Sequence, residues 1–280
     1  MRVGIYETVC KMAEAAATLA AGELSRQIAE NGRATFMAAT GASQLAFLDA
    51  LTRPSQVDWS RTEMFHLDEY IGLPESHPAS FRRYLREHLL DVVHPGRVHL
   101  IDGTAADPWR ECTRLEQLMP EDGVDVAFVG IGENGHLAFN DPPADFSNED
   151  FFTVVTLTDS CRAQQVHEGW FSTIEEVPEK TITVTIRGIL KSKCIVSVVP
   201  EARKADAVQS ALSGRVTPAC PASVLVEHPQ AYMFLDVDAA SLLDKATLQR
   251  WLRPAEGTDA AIRKLSEDQS TQLSNGQRYR

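Results

Sequence analysis

The sequence predicts an α/β fold, a Rossmann-like, doubly wound and mostly parallel sheet with helices on both faces. Short β-branched or apolar runs alternate with helix-like segments along most of the chain. That βαβα order implies parallel strands covered on both sides. The run Val124 to Ile131, VDVAFVGI, is apolar enough to be a buried central strand. Polar, glycine-bearing turns follow the apolar runs, where an open parallel sheet places its ligands.

The elements follow in order. Ala13 to Ala29 is Ala-rich and predicts a helix ending near Asn31-Gly32. Ala34 to Ala39 is strand-like and leads through Thr40-Gly-Ala-Ser43 into a helix carrying Leu45, Leu48 and Leu51. Thr62 to Leu67 is a strand. Ser76-His-Pro78 is the expected start of the next helix, with Pro in its first turn and Phe81, Tyr84, Leu85, Leu89 and Val92 on one face. Val98 to Ile101 is a short strand, Trp109 to Leu118 a helix, and Val124 to Ile131 the central strand. Phe152 to Leu157, Thr181 to Ile186 and Cys194 to Val199 are strand-like, with a helix after Leu157. Arg203 to Leu212 is helical, closed by Gly214. Tyr232 to Leu235 is the last strand and Ala239 to Leu252 the last helix. No internal repeat or linker divides residues 1–254, which are expected to form one domain. From Ala255 to residue 280 the sequence turns polar and reads as a tail.

Composition narrows the function. Of 280 residues, 44% are hydrophobic and 24% charged, ordinary for a globular protein. The net charge of -12 argues against nucleic acid and anionic membranes as partners. A small anionic substrate stays compatible, because one local cationic pocket suffices. Five cysteines without a C-x-x-C pair form neither a disulfide framework nor a zinc motif. With no signal peptide or 18-residue apolar run, a reducing, cytoplasmic setting is expected.

Four turns carry the candidate chemistry. Ala39-Thr-Gly-Ala-Ser43 offers backbone N–H groups and hydroxyls to a phosphate, though an ordinary capped βα turn reads the same way. Asp68 and Glu69 lie just past a strand end, where a carboxylate can reach a substrate or merely face solvent. His66, Asp68 and His77 fit no standard zinc spacing, so no metal is expected. After the central strand come Gly130, Gly132, Gly135 and then His136, with Asp141 five positions on, a plausible acid–base pair. The bland alternatives are a structural histidine and an Asp-Pro turn. Gly130 to Gly135 also matches the G-x-G-x-x-G dinucleotide fingerprint. Pro142-Pro143 stops any helix after it, and no acid ends a second strand at the required distance. Lys204 follows the strand Cys194 to Val199. A lysine in a first helical turn opposes the macrodipole, so it calls for a reason such as an anionic ligand.

LDEYIGLP with HPASF behind it, GIGENGHLAFNDP and ATGAS together resemble the glucosamine-6-phosphate deaminase family, which shares a superfamily with 6-phosphogluconolactonases. The similarity runs from about Thr35 to Leu243. LDEY followed by GLP belongs to the deaminase side. The resemblance implies conversion of a 2-amino-2-deoxyhexose 6-phosphate, glucosamine 6-phosphate above all, to fructose 6-phosphate and ammonium. It gives Asp68 the proton transfer between C2 and C1, and His136 the ring opening. Asp141 orients His136 from a position usually held by Glu, and Asn134 occupies a site that is Asp or Asn. Thr40, Gly41, Ser43 and Lys204 fall on phosphate-binding positions, and the substrate-binding set extends to Ala42, Glu69, Gly132, Gly135, Arg162 and His167. Asp141 is one methylene shorter than Glu, so its reach to His136 calls for a water or a loop shift. Arg162 lies one and a half turns from His167, near which deaminases bring an arginine to the phosphate. No cofactor is implied, homo-oligomers occur in the family, and the stretch Phe151 to Thr156 lacks the basic residues of allosteric relatives. Two other functions share these residues: a 6-phosphogluconolactonase, with His136 activating water, and a non-catalytic sugar-phosphate sensor.

Overall fold

A computed structural model of the chain describes residues 1–53 and 57–252. The polar tail expected from Ala255 lies outside the described residues. Seven parallel strands form the main sheet. They are β1 (Arg2–Tyr6), β2 (Ala34–Ala38), β3 (Thr62–His66), β5 (Arg97–His99), β6 (Val126–Val129), β9 (Cys194–Val199) and β10 (Ala231–Asp236). Their order across the sheet is β1-β10-β9-β6-β2-β3-β5. The strands β4 (Asp68–Tyr70), β7 (Phe152–Thr156) and β8 (Lys180–Val184) form a separate antiparallel sheet in the order β4-β8-β7.

The main sheet separates two cores, and the strands alternate between them. In β6, Val126 and Phe128 face one core while Ala127 and Val129 face the other. The first face is covered by α1 (Val9–Asn31), α2 (Leu45–Thr52) and α3 (Phe81–Leu85), the last running on through a π turn (Arg86–Leu90) into α4 (Asp91–Val93). The opposite core takes residues from α5 (Pro108–Leu118), α7 (Ile186–Leu190) and α8 (Ala205–Leu212). A third, aromatic core of Tyr70, Phe81, Phe139 and Phe171, with Cys161 of α6 (Asp159–His167), ties the small sheet to α3 and α6. The chain ends in α9 (Lys245–Trp251). No helix among the described residues is long and apolar enough to cross a membrane.

Several expectations need correction. Strands Phe152–Thr156 and Lys180–Val184 pair antiparallel with each other and with β4, outside the parallel sheet. The helix expected at Ser76-His-Pro78 begins at Phe81, because Ser80 is its N-cap and accepts from the Arg83 N–H. Val92 is 53% exposed rather than part of the apolar face, since the intervening π turn shifts the helical phase. Residues 239–242 form turns, and the last helix waits for its cap, Asp244, which accepts from the Thr247 N–H.

The strand order decides where a ligand sits. From β2 the chain builds outward through β3 to β5, and then β6, β9 and β10 build the other way. The reversal falls between β2 and β6, the topological switch point where open α/β sheets form their ligand crevice.

Candidate active site

A cleft opens at that switch point, with about 540 Å³ of space between its walls and the open solvent at its mouth. Its floor comes from the turns after β2 and β6 through Thr40, Gly41, Ser43, Gly130 and Gly132. His136 enters from further along the turn after β6, Asp68 from β4 and Lys204 from the turn after β9. Gly41 has φ 104 and ψ 163, a conformation that a side chain at this turn would disfavour. The Tyr84 hydroxyl donates to its carbonyl oxygen at 2.9 Å, anchoring the turn to α3.

The imidazole is held on its Nδ1 side. The Asn134 Oδ1 atom lies 2.8 Å from His136 Nδ1 and accepts from the His136 backbone N–H at 3.1 Å. Behind it, Asp141 Oδ1 stands 3.3 Å from the same ring nitrogen and accepts from Asn134 Nδ2 at 3.1 Å. The short Asp141 side chain thus approaches His136 directly, with the Asn134 amide bridging the pair. Two acceptors around Nδ1 favour its N–H tautomer and leave Nε2 with the lone pair. Burial alone would raise the Asp141 carboxyl, but the His136 ring, Thr158 and Asn134 outweigh it and hold it down at about 2. Thr158, the N-cap of α6, donates to Asp141 Oδ2 at 2.7 Å. Gly132 leaves room for the ring, since a Cβ there would fall 2.2 Å from His136 Cε1.

The paired acids divide their labour. Glu69 is fully buried and accepts from the N–H groups of Tyr70, Phe81 and Arg82, from Ser80 Oγ, and from Arg82 Nε at 3.2 Å. Its carboxylate closes the N-terminus of α3 and does not line the cleft. Burial still raises its pKa despite these donors. Asp68 does line the cleft and is only 6% exposed. Burial, with the Glu69 charge beside it, pushes its carboxyl up to about 8.

Lys204 is the cation of the cleft. Glu201, with φ 79 and ψ 144, ends β9 in a strained conformation. Its N–H is held by Asp236 Oδ1 at 3.1 Å. The reversal brings Lys204 inward until its side chain is 3% exposed. Among the described residues its one ion pair is a loose 3.9 Å contact with Glu168 Oε1. Burial lowers its pKa, against the Glu168 charge.

Other expected site residues lie elsewhere. Arg162 Nη2 donates to the carbonyls of Ile174 and Val177 at 2.6 and 3.2 Å and stays out of the cleft. His167 faces a different hollow, shared with Glu133, Asn134 and Ser160. Ala42 and Gly135 do not line the cleft, and at Gly135, φ 86, a Cβ would fall 2.9 Å from Cys220 Sγ. The Gly130–Gly135 turn opens no helix, which removes the dinucleotide arrangement. His66 is fully buried with both ring nitrogens unpartnered, and Asp141, Cys161 and His136 form the one cluster of metal-binding side-chain types among the described residues. Sequence reasoning missed Gln164, Gln165 and Glu168 of the α6 end and Phe139, all in the cleft wall. Two adjacent glutamines on a short helix were the available signal. Gln165 is fixed by the Tyr70 hydroxyl, which donates to its Oε1 at 2.7 Å.

Comparison with known proteins gives consistent relatives. Residues 7–234 match the family described as glucosamine-6-phosphate isomerases/6-phosphogluconolactonase. The chain is 38% identical to a glucosamine-6-phosphate deaminase of Exiguobacterium sibiricum over 205 residues, 73% of this chain and 79% of that one. It is 35% identical to one from Bacillus cytotoxicus over 246 residues, 88% and 90% of the two chains. Among solved structures, a monomeric glucosamine-6-phosphate deaminase of the NagB superfamily superposes with a TM-score of 0.80 at 31% identity, covering 87% of this chain and 100% of that one. A 6-phosphogluconolactonase from Trypanosoma brucei, 17% identical with a TM-score of 0.72 over 87% of this chain and 98% of its own, shares the fold.

Proposed function

This chain belongs to the glucosamine-6-phosphate isomerase/6-phosphogluconolactonase family, and we propose that it is a glucosamine-6-phosphate deaminase working through Asp68 and His136. The observation that carries the reading is the shared cleft. One carboxylate, one imidazole with its Nδ1 side tied down, and one buried ammonium line it beside the Thr40–Ser43 turn.

The chemistry uses each group once. His136 Nε2 takes the anomeric hydroxyl proton and passes it to the ring oxygen, which opens the sugar and frees a C1 aldehyde. Asn134 and Asp141 orient that ring, and the Asp141 anion stabilises the transient imidazolium. The C1 carbonyl and the C2 ammonium acidify the C2 proton. Asp68 removes it to give an enolamine and returns it to C1. The resulting C2 imine adds water and releases ammonium, leaving fructose 6-phosphate. The substrate's own carbonyl is the electron sink. Thr40, Gly41, Ser43 and Lys204 hold the phosphate, supported by the underpaired Lys204 ammonium.

Five free cysteines fit a reducing, cytoplasmic compartment. The test measures ammonia release from glucosamine 6-phosphate and acid release from 6-phosphogluconolactone in parallel. Ammonia from the amino sugar supports the reading. Acid from the lactone without ammonia from the amino sugar overturns it.

A further inference from the structure

Glu168 is the C-cap of α6 and reaches the cleft wall opposite Lys204. Its side chain is 9% exposed, and its Oε1 lies 3.9 Å from Lys204 Nζ, too far for a hydrogen bond. The same oxygen lies 3.1 Å from Arg203 Nη1 and accepts from Gln164 Nε2 at 2.8 Å. One carboxylate oxygen thus gathers a guanidinium, an amide and an ammonium, the donor set that suits a phosphate oxygen. Arg203 is further shared with Glu133 at 2.9 Å and Glu201 at 2.5 Å. Three carboxylates therefore surround two cations, so the corner is net negative before any ligand arrives. Arg162, on α6 itself, is committed to the carbonyls of Ile174 and Val177.

We propose that Glu168 is a built-in competitor for the phosphate subsite, an internal carboxylate that must yield Lys204 when the substrate's phosphate binds. This rests on the reading of the Thr40–Ser43 turn and Lys204 as the anion subsite. Arg203, which pairs with Glu168 from outside the cleft lining, holds that carboxylate once it leaves Lys204. The carboxylate sits at a helix end followed by Gly169, φ +81, where a small backbone change can swing it aside. Glu168 therefore sets how strongly the site prefers a full dianion, which can displace a carboxylate, over weaker anions.

The experiment titrates inorganic phosphate into the full chain by calorimetry at pH 7 and fixed ionic strength. Glu168→Gln removes the competing charge and is expected to tighten phosphate binding about tenfold, the scale of a removed like-charge contact. The KM for glucosamine 6-phosphate is expected to fall with it. Lys204→Ala in the Glu168→Gln background is expected to erase the gain. Unchanged or weaker phosphate binding in Glu168→Gln overturns the proposal and makes Glu168 a mere support for the cations. Should Glu168→Gln fail to fold, Glu133→Gln leaves Arg203 freer to draw Glu168 away from Lys204: tighter phosphate supports the proposal and no tightening overturns it. Phosphate affinity is read without turnover. A chain that releases no ammonia yet gains affinity in Glu168→Gln loses the deaminase reading alone, and one that releases ammonia with unmoved affinity loses this proposal alone.

Discussion

Replacing Asp68 by Asn should cut turnover and stabilise the fold, because the same buried carboxyl supplies both effects. Its folded pKa is about 8, against an ordinary value of 3.8. The folded state therefore binds one more proton than the unfolded state between those values. Stability falls as pH rises through that window, fully present below about 4 and lost by about 8, at about 1.4 kcal/mol per pH unit. At pH 7 the carboxyl costs on the order of 4 kcal/mol relative to a group neutral in both states. The amide of Asp68→Asn carries no such cost, but a buried amide short of partners costs about 1–3 kcal/mol. The net expectation is a gain of about 1–3 kcal/mol at pH 7–8, a rise of a few degrees in Tm. Thermal melts of both proteins from pH 5 to 9 read the gain and the flattened pH slope. Turnover should fall by about 10² to 10⁴, the usual contribution of a positioned base. Parallel stability curves would refute the desolvated carboxyl. Near-wild-type turnover would remove Asp68 from the mechanism.

Further outcomes follow from the same geometry. In the wild type, kcat/KM should rise about tenfold per pH unit below about 8, because the free chain must ionise Asp68 to act as base; a flat profile from pH 6 to 8.5 contradicts this. The midpoint for kcat should lie lower, since a bound ammonium beside Asp68 favours the anion. Lys204→Ala should raise KM roughly 10- to 100-fold with a smaller change in kcat, through loss of a charge-assisted contact, and an unchanged KM places the phosphate elsewhere. Gly132→Ala puts a methyl 2.2 Å from the His136 ring, so kcat should fall about 100-fold while circular dichroism stays native.

How far the sequence discloses this site depends on which contacts are local. Strands β2, β6 and β9 are short apolar runs followed by polar turns, and the cleft forms at those turns. The end of α1 is legible because Gly32 takes the left-handed conformation, φ 79, that Gly favours. The start of α3 is not, since its free N–H groups are satisfied by Glu69, 12 and 13 residues from Phe81 and Arg82. Three-residue β4 hides inside the LDEY motif, and nothing local shows that it pairs with β8. The roles expected for Arg162 and His167 depended on the rotation of α6 about its axis, fixed by Cys161 and Val166 in the aromatic core. Glu69 illustrates the same point: adjacent acids on a strand face opposite ways, so one meets the cleft and the other the interior.

The cleft holds an acid and a base, each short of a partner for its charged form. Burial raises Asp68 and lowers Lys204, so in both cases the charged form is disfavoured. Neither can be relieved from within. Glu69 is saturated by its donors around Ser80 and Arg82, and Arg82 itself is spent on Glu69, Asp102 and the Leu73 carbonyl. Lys204 has one acid at 3.9 Å, which Arg203 also claims. A ligand that relieves both must present a cation to Asp68 and an anion to Lys204. An amino-hexose phosphate does this, with its ammonium on C2 and its phosphate on C6. A phosphogluconolactone carries only the anion and leaves Asp68 desolvated and unpaired. On the proposed reading this charge order favours an amino sugar, and binding should ionise Asp68 at the moment the C2 proton becomes available to it.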